Sequence, residues 1–513
     1  MTWRRTIPDL GVLSPAMKRL LATAIALAAC DKTPSGTTGD HSGEAARGVA
    51  AAKHEAGEQT VATGDPCAKA QAERTMVMPW IADDLPAALA CAARRDVPVV
   101  VDLWAPWCHT CLSMQSTVFT DPSFKADVPR FVFAALDTDK EVNAAAVGKY
   151  PPSAWPTFYV IGKDRSTGQP DAVLARFVGA ASLAQFHAFL DAGVKAQQGG
   201  AAGGDAHLLG AERAIALKDL TVGEQELITA LAMAPADWPR RPDALTSLIS
   251  TKLKRKDYTG CFELAEKSLD DTGKAAAATD FIVSATACVE QLKDDAALAD
   301  RVKRLRERSV ARLTALTADA GAPLSVDDRS DALATLRELL DALDRHPEAV
   351  ATAQRQRALL DDAAAKATAP MARMTYNWQR CDVYVYLGVP LELVPALEQS
   401  ARDLPTEYDP RARLGWLFLK ADKLAEATRW TDAALAMVYG PRKARVLNQR
   451  AEIAAKQHDT AAEKHYRQEV VKLWESMPPG QANPDALAKA RQIVAALEPT
   501  TAPLPAPTTA ATR

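Results

Sequence analysis

The 513-residue chain has few aromatic residues and no charge excess. Aromatics make up 6% of it, and 61 basic residues stand against 64 acidic ones, a formal net charge of −3. Without a basic surplus there is no electrostatic basis for a nucleic-acid partner, which requires a positively charged face. Beyond residue 30 no apolar run reaches about 18 residues, so no membrane-spanning helix is predicted there. Histidine is scarce, at eight residues. Neither a second C-x-x-C nor an H-x-x-x-H accompanies the single C-x-x-C, so a structural zinc site lacks its four ligands and no metal is expected. What remains is a hydrophobic fraction of 48%, enough for a sizeable core, in a chain long enough for two or three domains. Abundant alanine favours helix over strand.

The first thirty residues read as a processing signal. Met17-Lys18-Arg19 is a short basic start, and residues 20–29 are a mostly apolar run too short to cross a bilayer. Leu27-Ala28-Ala29-Cys30 then places small residues before a cysteine. This resembles the lipobox of bacterial lipoproteins. The resemblance implies a signal peptide over 1–29 and lipidation of Cys30, whose acyl chains anchor the chain to a membrane. Residues 30–69, rich in small and charged residues, read as a flexible tether. The Gly-rich segment 197–205 reads as an interdomain linker, and the Pro/Thr/Ala segment 499–513 as a disordered tail. Two blocks remain, 70–196 and 206–498.

Residues 97–103 (VPVVVDL) form an almost wholly apolar run, as for a strand buried on both faces. Asp102 interrupts it, and a buried carboxylate needs a reason. Trp104-Ala105-Pro106-Trp107 leads into Cys108-His109-Thr110-Cys111. If a helix begins there, both thiols share one turn, with Cys108 at the N-terminus, where free N–H groups and the macrodipole favour thiolate. Cys108 is the expected attacking group, and Cys111, one turn inside, the resolving one. His109 and Thr110 tune the potential, since a protonated imidazole beside the nucleophile makes the pair more oxidising. Further strands are predicted over 76–81, 131–136, 157–161 and, at an edge, 172–178. Helices are predicted over 85–95 and 182–192.

Val101-Asp102-Leu103-Trp104-Ala105-Pro106-Trp107-Cys108 resembles the active-site strand and loop of thioredoxins. Lys149-Tyr150-Pro151-Pro152-Ser153-Ala154-Trp155-Pro156-Thr157 resembles their segment leading into a cis-proline. Thr117-Val118-Phe119-Thr120-Asp121-Pro122, and the strand and helix before the central strand, are similar to the C-terminal reducing domain of DsbD, a periplasmic thiol reductant. The resemblance implies an α/β thioredoxin fold, a central mixed sheet flanked by helices. It implies that Pro156 is cis and faces the dithiol, that Trp107, Trp155 and Pro156 shape the substrate site, and that Asp102 moves protons to and from Cys111. No cofactor beyond the redox-active disulfide Cys108–Cys111 is implied. There are departures: His109-Thr110 replaces Gly-Pro, Leu112 and Ala135 stand where lysine is usual, and Trp155 where a β-branched residue is usual.

The second block reads as helical at period 3.6, an all-α helical-repeat domain. Leu414-Gly415-x-x-Phe418, with Ala427, Ala434 and Leu435, resembles the tetratricopeptide pattern, which implies a peptide or protein ligand. His458 and His465 read as a solvated helix face. Cys67 and Cys91 flank the first strand and are free to pair; Cys261 and Cys288 read as buried free thiols.

The expectation is an extracytoplasmic thiol–disulfide oxidoreductase, lipid-anchored in the cell envelope and facing the periplasm. It would reduce disulfide-containing proteins, or exchange with thiol proteins, with electrons from a membrane protein donor. Two alternatives stay open: a scaffold lipoprotein with a regulatory dithiol, and a copper(I) carrier binding through the soft sulfur ligands. Haem attachment is excluded, because Leu112 and not histidine follows the second cysteine.

Overall fold

Three consecutive valines at 99–101 give the chain a strand that can be buried on both faces, and that strand lies at the centre of the sheet. A computed structural model describes residues 65–69 and 77–497. Its sheet comprises β1 (Trp80–Ala82), β2 (Val99–Trp104), β3 (Val132–Asp137), β4 (Thr157–Gly162) and β5 (Ala172–Val178), in the order β1-β3-β2-β4-β5. β3 pairs in parallel with both β1 and β2, while β4 pairs antiparallel with β2 and β5, so the sheet is mixed. Side chains alternate along β2. Val99, Val101 and Leu103 enter one core with Tyr150, Tyr159 and Ile161. Val100 enters the other, where eight of the chain's eleven phenylalanines are gathered. The phenylalanines are therefore concentrated in one layer, each worth about 1.5–3 kcal/mol on full burial.

Helices α1 (Leu85–Arg95), α2 (His109–Ser116), α3 (Ala144–Lys149) and α4 (Leu183–Gln197) accompany the sheet. α4 begins with a capping box between Ser182 and Gln185. From α5 (Gly204–Ala216) to α20 (Pro484–Ala496) the described chain is all helical, in successive packed hairpins. The architecture is thus an α/β thioredoxin fold followed by a helical-repeat region. Among the described residues no helix is long and apolar enough to cross a membrane.

Some expected boundaries move. The strand expected over 76–81 begins only at Trp80. The helix expected over 182–192 runs on to Gln197, and α5 starts at Gly204, so the linker expected over 197–205 is shorter than its glycines suggested. The end of the tether expected over 30–69 is folded: Cys67 is bridged to Cys91 on α1. Residues 1–29, Cys30 and the tail 499–513 lie outside the described residues.

Cys261 and Cys288, expected as free thiols, form a disulfide with their Cα atoms 6.2 Å apart. The apolar faces of α8 (Tyr258–Ser268) and α9 (Ala276–Gln291) pack on each other, which brings the two sulfurs together. A cross-link spanning 27 residues restricts the unfolded chain by about 3–4 kcal/mol in the loop-entropy picture.

The helical region also folds back onto the α/β unit. Glu212 on α5 accepts the Arg176 N–H of edge strand β5 at 2.9 Å and is itself held by Arg240, which covers a sheet edge that would otherwise be open. Two glycines allow backbone-to-backbone approach between the units. A Cβ on Gly440 would overlap the Asp139 carbonyl, and one on Gly480 would overlap that of Ala144.

Candidate active site

The end of β2 delivers Trp104, and a tight turn follows in which the Cys108 N–H donates to the Ala105 carbonyl at 3.0 Å. Cys108 is extended and forms the N-cap of α2; its Sγ accepts the Cys111 N–H at 3.0 Å. The sulfur thus sits where the helix presents free donors and the positive end of its dipole, which favours the thiolate whenever the pair is reduced. In the structure Cys108 and Cys111 are bridged, with Cα atoms 5.2 Å apart. Both are buried, at 4% and 1% exposure.

The other expected site residues converge on this pair. The Trp155–Pro156 peptide bond is cis. Trp104, Trp107 and Trp155 pack on the cluster of Ala105, Cys108 and Cys111, and the Trp107 and Trp155 rings meet edge-on with centroids 5.2 Å apart. The Trp155 indole N–H donates to Thr138 Oγ1 at 2.7 Å, and that of Trp107 to Asp139 Oδ2 at 2.7 Å. Asp102 is 2% exposed and shares the β2 face of Val100, on the side where Met114 of α2 packs. It lies beneath the helix that carries Cys111.

His109 is where the helical region joins the site. Its Nδ1 lies 2.9 and 3.1 Å from the two carboxylate oxygens of Asp327, in the first turn of α11 (Val326–Asp341). Asp327 is buried, and Gln379 on α14 (Asn377–Tyr386) donates to its carbonyl and to the Asp331 carboxylate. Burial disfavours the imidazolium, but the Asp327 and Asp331 charges and the Asp327 hydrogen bond outweigh that cost, and Arg413 opposes them only weakly. The His109 pKa rises from 6.5 to about 9, so the ring is cationic at neutral pH. The donor atoms of His109, Asp327 and Asp331 lie within 4.8 Å of one another, close enough to share a metal ion. Nδ1 is already committed to Asp327, and carboxylates are hard ligands that suit copper(I) poorly.

Residues 80–160 match a Thioredoxin-like family model. Over 107 residues the chain is also 31% identical to Thioredoxin C-3 of Corynebacterium nephridii. That match covers 21% of this chain and 66% of the relative, just under two thirds of its length. The dithiol and the cis-proline fall inside residues 80–160, and the whole helical region lies outside them.

Beyond its dithiol the thioredoxin-like unit has a roof. The Tyr439 hydroxyl donates to Asp137 Oδ2 at 2.5 Å, the Gln481 amide to the Thr138 carbonyl at 2.8 Å, and Arg442 lies 4.1 Å over the Trp107 ring. Burial lifts Asp139 to about 7 despite the Trp107 hydrogen bond, Asp137 adds to the rise, and Arg442 opposes it. Ser113 of α2 donates to Ser325, the N-cap of α11. The helical region therefore forms one wall of the site.

None of Asp327, Asp331, Tyr439 or Arg442 stood out from the sequence, because they reach the dithiol from more than 200 positions away. One local signal was available. Ser325 followed three residues later by Asp328 is a capping signature, and it puts Asp327 in a first helical turn. Cys381 is the free cysteine among the described residues; burial pushes its thiol up to about 12, which leaves it inert.

The His109 shift predicts a pH dependence. A group whose pKa is raised on folding stabilises the fold fully below its unfolded value and loses that contribution as pH rises through the folded one. For His109 the window runs from 6.5 to about 9. Unfolding by urea should show stability falling by on the order of 3 kcal/mol across that window. His109→Gln should flatten this slope; an unchanged slope would mean that the ring is not cationic.

Proposed function

We propose that the chain is an extracytoplasmic thiol–disulfide oxidoreductase, held at a membrane by lipid on Cys30, whose Cys108–Cys111 pair reduces substrate disulfides. The observation that carries the reading is Cys108 at a helix N-cap, bridged to Cys111 and packed beside the cis bond before Pro156. In the reduced enzyme the Cys108 thiolate attacks one sulfur of the substrate disulfide; that S–S bond breaks and one thiolate leaves. Cys111, deprotonated toward Asp102, then attacks Cys108 Sγ, releases the second substrate thiol and closes the enzyme disulfide. An external dithiol donor returns two electrons and two protons.

Two further bridges, Cys67–Cys91 and Cys261–Cys288, support an oxidising compartment. His109, held cationic by Asp327, supports a potential above that of thioredoxin, so the enzyme serves substrates more oxidising than itself. In this reading the helical region contributes to the site as well as to any docking with partners. The test is turnover of a low-molecular-weight disulfide by the full chain with a dithiol donor, compared with Cys108→Ser.

A further inference from the structure

A cavity of about 220 Å³ lies between the two units, bounded on the thioredoxin-like side by Thr110, Trp155 and Gly179 and on the helical side by α7 (Arg241–Lys254), α9 and α11. Thr110 stands between His109 and Cys111, and Trp155 packs on the dithiol, so the cavity borders the site where a substrate sulfur must arrive. Gly179 donates its N–H to the Pro156 carbonyl at 2.9 Å, which ties this wall to the cis-proline loop.

The lining carries five carboxylates and three cations. All three are engaged: Arg240 pairs with Glu212 and Asp243, the Arg176 guanidinium donates to Tyr159 and Ser153, and Lys254 has a partner as well. The other lining carboxylates are Asp280, Asp328 and Asp331. Asp280 is open to the cavity, and a Cβ on Gly179 would come within 3.1 Å of its Oδ2, so the carboxylate lies against the cis-proline wall. Desolvation by the cavity walls, with the charges of Asp331 and Asp328, pushes the Asp280 pKa up. A cation placed in the cavity would relieve that repulsion.

Resting on the redox reading above, we infer that this cavity selects the substrate: a low-molecular-weight disulfide carrying a cationic amino group, with the ammonium held at Asp280 and the sulfur turned toward Cys108. Size supports a small molecule, since an apolar cavity of ~150 Å³ holds benzene, and this one accommodates a group of about amino-acid size. The reaction consumes the dithiol and one R–S–S–R and yields the Cys108–Cys111 disulfide and two R–SH; dithiothreitol supplies the two electrons and two protons in the assay.

The test compares turnover of cystamine, a dication, with that of bis(2-hydroxyethyl) disulfide, which is neutral, and 3,3′-dithiodipropionate, a dianion. Each rate is divided by the rate of the same disulfide with dithiothreitol alone. The full chain should prefer cystamine over the neutral disulfide by about tenfold in kcat/KM, the scale of one partly desolvated ion pair, and should disfavour the dianion. Asp280→Asn should remove most of that preference and leave the neutral disulfide unchanged, while Asp280→Glu should keep it.

Equal normalised rates for the three compounds would overturn the inference, as would a preference indifferent to Asp280→Asn. So would turnover confined to peptide disulfides. Micromolar zinc that blocks all three disulfides in an Asp280-dependent way would make the cavity a metal site and overturn it too. If the neutral disulfide is turned over and Cys108→Ser abolishes this, the redox reading stands whatever the charge preference. If no disulfide is turned over, both fail.

Discussion

Replacing Cys108 with serine is expected to abolish disulfide turnover, and replacing Cys111 with serine to leave Cys108 in a stable mixed disulfide with substrate. The asymmetry follows from the helix. Cys108 is the N-cap residue, its sulfur facing the free donors of the first turn, whereas Cys111 lies inside that turn at 1% exposure. A hydroxyl in place of the Cys108 thiol has neither the acidity nor the nucleophilicity to open a disulfide at neutral pH. Without Cys111 the mixed disulfide has no resolving thiol, so intact-mass measurement should find the chain plus one substrate half. Mixed disulfide on Cys111 in the Cys108→Ser chain would reverse the assigned roles, and residual turnover in both variants would remove the dithiol from the chemistry.

The second large effect is on the reduction potential. The reduced form contains the Cys108 thiolate, so anything that stabilises the thiolate stabilises the reduced form and raises the potential. His109 is cationic, one residue from that sulfur, because Asp327 and Asp331 overcome its burial. His109→Gln removes the cation and should lower the potential by about 30 mV, a tenfold change in the equilibrium constant. Asp327→Asn acts through His109: with its main partner gone the ring loses its charge near neutral pH, so the potential should fall in the same direction. Asp327 is thus a positioning residue, and its test has a signature that loss of packing would not give. The difference between wild type and His109→Gln should shrink as pH rises past about 9, where the wild-type ring deprotonates. A potential that is unchanged or raised in either variant would contradict this account.

Much of the thioredoxin-like unit was legible because its signals are local. The valine run at 99–101 specified the central strand, and the residues before Cys108 and Pro156 carried the site, since each lies within a few positions of the element it shapes. What was not legible is long-range. The pairing of Cys261 with Cys288 depends on how α8 crosses α9, which apolar periodicity does not specify. The Asp327–His109 pair depends on the helical region turning back over the active site. That region's residues predict helices and a repeat-like pattern, which implies a peptide or protein ligand and not a wall of the dithiol site. The contacts that bring it back are two glycines without a Cβ, Gly440 and Gly480, and single polar side chains such as Tyr439 and Gln481. None of these differs in type from an ordinary turn or surface residue until its partner is known.

The most direct test is a redox titration of the full chain against glutathione, read by the fluorescence of Trp107 and Trp155, which pack on the disulfide. The expected result is one reversible two-electron transition with a midpoint above about −270 mV, the thioredoxin value, absent in Cys108→Ser. A Cys108–Cys111 pair that does not equilibrate with glutathione, or that titrates at or below that value, would contradict it.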